Sequence, residues 1–248
     1  MIQSPSSKAD APGEKQERQT ILHLDGVSKI YKSGDFTVTA LDDVTFHVPG
    51  GEIVAVMGPS GSGKTTLLTI AGALLRPTAG RVHICGIDVS DMNESQLAAV
   101  RRDKVGFVYQ SFNLLEALTA LENVRIVAQS NHKADKRKAD ERAKELLEMF
   151  GLGHRLHSLP KRMSDGEKQR VAIARALAKD PELLLADEPT ANLDAKRGHE
   201  VMELLRQKAM ELHKAVVVVS HDNRIRQFAD RVVWLEDGRL REDDTHSI

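Results

Sequence analysis

The stretch Gly58-Pro59-Ser60-Gly61-Ser62-Gly63-Lys64-Thr65-Thr66 constrains this chain more than any other. The apolar run Ile53-Val54-Ala55-Val56-Met57 precedes it and reads as a buried strand. Leu67-Leu68-Thr69-Ile70-Ala71 follows and reads as the start of a helix. A strand, a glycine loop, Lys-Thr and a helix in that order form a phosphate-binding loop. The glycines let several backbone N–H groups turn toward one anion, and the helix N-terminus adds its partial positive charge. In that arrangement Lys64 reaches the β- and γ-phosphates and the Thr65 hydroxyl coordinates Mg²⁺. The expectation is an α/β chain that binds a nucleoside triphosphate.

With 248 residues the chain is long enough to bury a large core, as one domain or two joined lobes. Its 35 Lys and Arg nearly balance 36 Asp and Glu, so no global charge points to nucleic acid as a partner. Cys85 is the only cysteine, which rules out an internal disulfide framework and fits a reducing compartment. Cys85 reads as a small apolar residue. No stretch reaches the roughly 18 apolar residues needed to span a bilayer. Residues 1–19 are rich in Ser, Pro, Lys, Glu and Gln, and read as a disordered tail rather than a signal peptide. The expected location is cytoplasmic, with any membrane role supplied by a partner.

From Ile21 to Val48, short alternating runs broken at Gly26, Gly34 and Pro49-Gly50-Gly51 predict an antiparallel β layer ahead of the glycine loop. Arg81–Gly86 reads as a further strand, and Val105–Tyr109 as a buried strand ending at Gln110. From Leu114 to Arg162 the pattern turns helical. Ala139, Ala143, Leu146, Leu147 and Phe150 keep helical spacing, with Gly151 placed to cap. The charges of Lys133–Arg142 read as the solvated face of that helix. Ser164 and Asp165 offer cap chemistry for a helix through Arg170, Ala174, Leu177 and Lys179, stopped by Pro181. Two further apolar strands, Leu183–Ala186 and Val216–Ser220, flank a helix through Val201, Leu204, Leu205 and Lys208. Fully apolar strands alternating with helices indicate a parallel sheet covered on both faces. The chain closes with the strand Val232–Leu235 and the turn Glu236–Arg239.

The strand Leu183–Ala186 ends in Asp187-Glu188. Adjacent acids at the end of a buried strand point to a site at the carboxyl edge of the sheet. There Asp187 can hold the Mg²⁺ hydration shell, and Glu188 can polarise a water for in-line attack on the γ-phosphate.

Met163-Ser164-Asp165-Gly166-Glu167-Lys168-Gln169-Arg170 then resembles the signature segment of ABC-type ATPases. The family's other motifs stand in order. Tyr31 matches the adenine-stacking aromatic, though it also fits ordinary strand packing. Gln110 matches the Q-loop glutamine, Asp194 the D-loop aspartate and His221 the switch histidine. The resemblance covers about residues 21–240. It implies an α/β P-loop NTPase fold with a RecA-like, mostly parallel core, an antiparallel β layer, and a helical subdomain inserted at about 111–165. It also implies a head-to-tail homodimer sandwiching two ATP molecules. Each site would join Gly58, Pro59, Ser60, Gly61, Ser62, Gly63, Lys64, Thr65, Thr66, Gln110, Asp187, Glu188 and His221 of one chain to the signature of the other, Ser164, Gly166 and Glu167; Asp194 of the D-loop would also belong to the nucleotide-binding set. Thr65, Gln110 and Asp187 would serve the Mg²⁺.

One position departs from the family pattern: Asp165 replaces the first glycine of the signature. A carboxylate about 7 Å from a phosphate charge costs about 2 kcal/mol at an effective dielectric near 20. Weaker dimer closure is the expectation. The segment from Val108 to Val124 resembles the ATPases of bacterial lipoprotein-release and macrolide-export systems. In those, the region after the Q-loop receives a coupling helix from a membrane permease. Phe112, Leu114, Leu115 and Leu118 are the apolar anchors available for that, or for packing the helical lobe. Three functions remain open: a transporter subunit for hydrophobic or lipid-linked cargo, a force-transmitting complex of the cell-division type, and a soluble ABC ATPase.

Overall fold

A computed structural model describes residues 19–34, 36–129 and 135–242. The predicted tail therefore lies almost wholly outside the described residues. β1 (Thr20–Ser33) and β2 (Phe36–Pro49) form one long antiparallel hairpin. The sequence suggested several short strands here. Gly26 instead sits at φ +58° within β1, and the register shifts around it, so the glycine makes a bulge and not a break. β4 (Ala79–Ile84) adds to the other side of β1, and β5 (Ile87–Asp88) to β4, giving the order β2-β1-β4-β5. Cys85 and Gly86, both at positive φ, make the tight β4–β5 turn.

The second sheet runs β10-β9-β3-β8-β7-β6. β3 (Ile53–Met57), β6 (Val105–Val108), β7 (Leu183–Asp187), β8 (Ala215–Ser220) and β9 (Arg231–Glu236) are parallel. β10 (Arg239–Glu242) turns back antiparallel on β9. Every residue of β3 and β8 is buried, as strands covered on both faces must be. Alternate side chains feed two cores. Ile53, Ala55, Met57, Val216 and Val218 pack toward the helical side, while Val54, Val56, Val217 and Val219 pack toward the antiparallel sheet.

α1 (Lys64–Ala71) leaves the glycine loop. α2 (Glu94–Lys104), which the sequence reading had not placed, is closed by a capping box between Asn93 and Gln96. Between the neighbouring strands β6 and β7 the chain makes α3 (Ala120–Ala128), α4 (Lys136–Met149) and α5 (Asp165–Ala176), which pack on one another. α5 stops at Ala176, short of the expected Lys179, and Asp180 at φ +54° turns the chain into Pro181 and β7. α6 (Ala195–Glu211) connects β7 to β8.

Candidate functional site

The strand order decides what meets at the carboxyl edge of the sheet. β3, β8, β7 and β6 are successive parallel neighbours. Their ends therefore deliver Lys64, His221, Asp187 with Glu188, and Gln110 to one line. A cleft of about 670 Å³ opens there. The loop side is lined by Ser60, Gly61, Gly63, Lys64, Thr65 and Thr66, the opposite side by Gln110, Asp187, Glu188 and His221. β2 closes it with Val38, Thr39 and Ala40.

The loop needs its glycines. Gly63 has φ +106°, and a Cβ there would stand 2.2 Å from the Ala40 carbonyl oxygen. At Gly58, φ is +153° and a Cβ would meet the Leu235 carbonyl oxygen at 2.0 Å. Any larger residue forces the loop away from β2 and β9 and spoils its curl. Lys64 is buried, and its Nζ donates to the carbonyls of Gly58 (2.9 Å) and Pro59 (2.7 Å). Burial pushes its ammonium pKa down, while Glu188 and Asp187 oppose that shift. Ser62 Oγ is buried with no hydrogen-bond partner.

Glu188 occupies a strained position, at φ +46°. Its carboxylate is held from both sides by the segment after β8. Ser220 Oγ donates to Oε2 at 2.8 Å; the His221 backbone N–H reaches Oε1 at 3.2 Å, and His221 Nδ1 stands 2.7 Å from the same oxygen. Of the three residues expected to be catalytic, Glu188, His221 and Gln110, the first two are thus in direct contact. Ser220, which the sequence reading had not singled out, is the clamp between them. Asp187 lies beside this pair. Burial, then the neighbouring Glu188, hold its carboxyl above the usual range, with Lys64 pulling the other way.

Two further residues escaped the sequence reading. Asn192 Nδ2 donates to the Gln110 carbonyl at 2.7 Å, tying the segment after Glu188 to the Q-loop. Arg175 donates to the carbonyls of Phe112 (2.8 Å) and Asn113, which sit at φ +61° and +49°. Neither carries a local signal, because the partners are 82 and 62–63 residues away in the chain.

Other expected residues stand apart. Tyr31 pairs with Val38 across the β1–β2 hairpin and is 43% exposed, beyond the cleft lining, with Lys29 Nζ 5.4 Å from its ring centroid. Ser164, Gly166, Glu167 and Asp194 are also absent from that lining. Ser164 caps α5 in a reciprocal box: the Glu167 N–H donates to Ser164 Oγ, and the Ser164 N–H to Glu167 Oε2 at 2.8 Å. Arg155 Nε bonds the other Glu167 oxygen at 2.8 Å. Asp194 caps α6 through the Arg197 N–H. Asp165 is paired with Lys168 at 3.1 Å, so its charge is partly balanced within its own chain.

This geometry is that of a P-loop ATPase. A family model described as ABC transporter matches residues 41–191, over half of the chain, and the chain belongs to the ATP-binding subunits of that family. It is 46% identical over 224 residues to the lipoprotein-releasing system ATP-binding protein LolD of Shewanella oneidensis, covering 90% of this chain and 97% of that one. It is also 46% identical to the macrolide export ATP-binding/permease protein MacB of Rhodopirellula baltica, covering 90% of this chain and 33% of that one. The structure superimposes with a TM-score of 0.83, at 42% identity, on the ATP-binding cassette MJ0796 of Methanocaldococcus jannaschii, solved as a post-hydrolysis dimer bound to ADP and Pi. The match covers 92% of this chain and all of that one. The protein is an ABC ATPase of the transporter type that binds and hydrolyses ATP.

Proposed function

We propose that this subunit couples ATP-driven, head-to-tail dimerisation to a separate membrane permease that exports or extracts hydrophobic or lipid-linked cargo. One observation carries the dimer: the cleft gathers Lys64, Gln110, Asp187, Glu188 and His221, while Ser164 and Gly166 line none of it. The α5 N-terminus is a helix end suited to an anion, and its natural ligand is the γ-phosphate held by a second copy. Asp194 and Glu167 frame that opposing surface, and Tyr31 offers the adenine a ring at the cleft's outer rim.

Within the cleft, the loop N–H groups from Gly58 to Thr66 bind the β- and γ-phosphates, and Lys64 exchanges its carbonyl contacts for phosphate oxygens. A water attacks the γ-phosphorus in line, the bond to the ADP oxygen breaks, and Glu188 accepts the proton of the attacking water. Ser220 and His221 hold that carboxylate in position, and His221 stands ready to contact the γ-phosphate. The donors Thr65, Gln110 and Asp187 are all hard oxygen groups, and they share one cleft with the adjacent carboxylate of Glu188, a donor set that suits a hard divalent cation. Mg²⁺ bound to them supplies charge neutralisation to the phosphates.

A permease is supported by a hollow of about 360 Å³ beside the Q-loop, where Leu115 and Ile126 are 49% and 50% exposed. Residues 111–165 act as the subdomain that meets it. The working location is the inner face of the cell membrane, with no nucleic-acid partner. The test is sedimentation of Glu188→Gln with ATP and Mg²⁺, which should give a dimer. Adding Ser164→Glu should return it to monomer without loss of ATP binding. An undiminished dimer in that double variant would overturn the sandwich.

A further inference from the structure

The antiparallel sheet carries a line of histidines that the ATPase chemistry does not use. β1 pairs His23 with His47 of β2, and on its other side with His83 of β4. His83 in turn stands opposite Asp88 of β5. One rung of the sheet therefore reads His47, His23, His83, Asp88 across four successive strands. Neighbours along each strand, among them Leu22, Leu24, Phe46, Val48, Val82 and Ile84, are buried in the core. By the two-residue period the histidines share the opposite, outward face. Directly opposed residues on one face place their Cβ atoms roughly 4.5–5.5 Å apart.

The side chains follow the register. The His23 and His83 rings stack with centroids 5.8 Å apart, and His83 Nδ1 is buried with no hydrogen-bond partner. A hollow of about 340 Å³ is lined by all three histidines together with Thr20 and Gly86. Asp88 is held by Arg81 and Ser90, which keep its carboxyl ionised far below the usual range. It adds fixed negative charge next to His83, whose Nε2 is 3.9 Å from it.

We propose that His23, His83 and His47 form a binding site for a borderline divalent transition ion of the Zn²⁺, Ni²⁺ or Cu²⁺ class. Imidazole suits these ions, and none of the three ligands is a hard oxygen that would favour Mg²⁺. As placed, no three metal-ligating side chains among the described residues converge on one point. Binding would turn the half-buried His23 and His83 rings and the exposed His47 ring about their soft χ2 torsions toward the hollow they share. The bound ion ties β2, β1 and β4 together. It thereby braces the hairpin whose Val38–Ala40 segment walls the nucleotide cleft.

The test uses the chelator-treated full chain, titrated calorimetrically with ZnCl₂ and CuCl₂ in the absence of nucleotide. One ion should bind with Kd below about 100 μM. Cu²⁺ should show imidazole nitrogen couplings in its electron paramagnetic spectrum. At a hundredfold excess over Kd, Tm should rise by about 5 °C. His23→Gln with His83→Gln should weaken binding at least tenfold, and His47→Gln at least threefold, each with ATPase rate retained as the check of folding. Weaker binding by the parent, or smaller losses in either variant, would overturn the proposal.

Discussion

The two halves of the nucleotide machinery are built in opposite ways. The cleft at the end of the parallel sheet is arranged ahead of its ligand. Its loop is curled by glycines no other residue can replace, Glu188 is held at positive φ by Ser220 and His221, and Ser62 Oγ is left without a partner. The signature at the head of α5 is the reverse: its cap is filled by its own Glu167, its Asp165 is paired with Lys168, and nothing in it is strained. The cap satisfies itself in a free subunit, whereas one turn further into α5 the buried Gln169 amide and Arg170 Nε have no hydrogen-bond partner. On the proposed function, strain sits where the chemistry would occur, and the signature would need only to recognise what the cleft of a second copy displays.

Variants of the cleft should act strongly, and variants of the signature more gently. The largest effect belongs to Glu188→Gln, which keeps the carboxylate's shape but not its basicity. Turnover should fall about 10²- to 10⁴-fold in a phosphate-release assay, with ATP binding intact. A loss within twofold would remove Glu188 from the role of base. Lys64→Ala should come next, weakening ATP by roughly 10- to 100-fold in a direct titration, the worth of a charge-assisted contact. Unchanged affinity would show that the loop N–H groups alone hold the phosphates.

Asp165→Gly sharpens the comparison from the signature side. The sequence alone predicts a dimer tightened by about 1–2 kcal/mol, the Coulomb cost less the lost helix-terminus benefit. With Lys168 already at 3.1 Å from Asp165, the gain should shrink below about 1 kcal/mol, and fall further with added salt. Sedimentation in the Glu188→Gln background reads it. A full tenfold tightening would mean that Lys168 leaves Asp165 when the dimer closes.

The smallest effect is a stability change in the cleft. Asp187 has its folded pKa raised, by burial first and Glu188 second. Such a group favours the folded state fully only below its unfolded pKa, about 3.9, and that contribution is lost as pH rises through the folded value. At pH 7 the ionised carboxylate therefore disfavours the nucleotide-free fold. Asp187→Asn should raise the apo Tm by about 2 °C at pH 7, and the gain should vanish near pH 4. A lower Tm at pH 7 would show that Lys64 more than offsets the burial.

Much of this was legible in the residues. The loop, the Asp187-Glu188 strand end and the cap at Ser164 each announce themselves, because each depends on backbone conformations set by a few adjacent side chains. Gln110 and His221 were legible only as members of an ordered set. Ser220, Asn192 and Arg175 were not legible, since each acts on a partner that chain order leaves remote. Gly26 misled in the expected direction: a glycine in a strand signals a turn or a bulge equally, and only the pairing of β1 with both β2 and β4 selects the bulge.

Local sequence by itself determined that this chain makes a triphosphate-binding loop, a buried parallel sheet and a capped signature helix. These follow from short-range sterics, capping chemistry and hydrophobic period. Only the tertiary structure decided that β8 lies between β3 and β7, and so that His221 meets Glu188 within 2.7 Å at the lip of the Lys64 loop. It alone put His47, His23 and His83 on one rung. Strand order and register are settled by how whole elements bury their faces against one another, and a one-residue slip would have sent those histidines to the other side of the sheet.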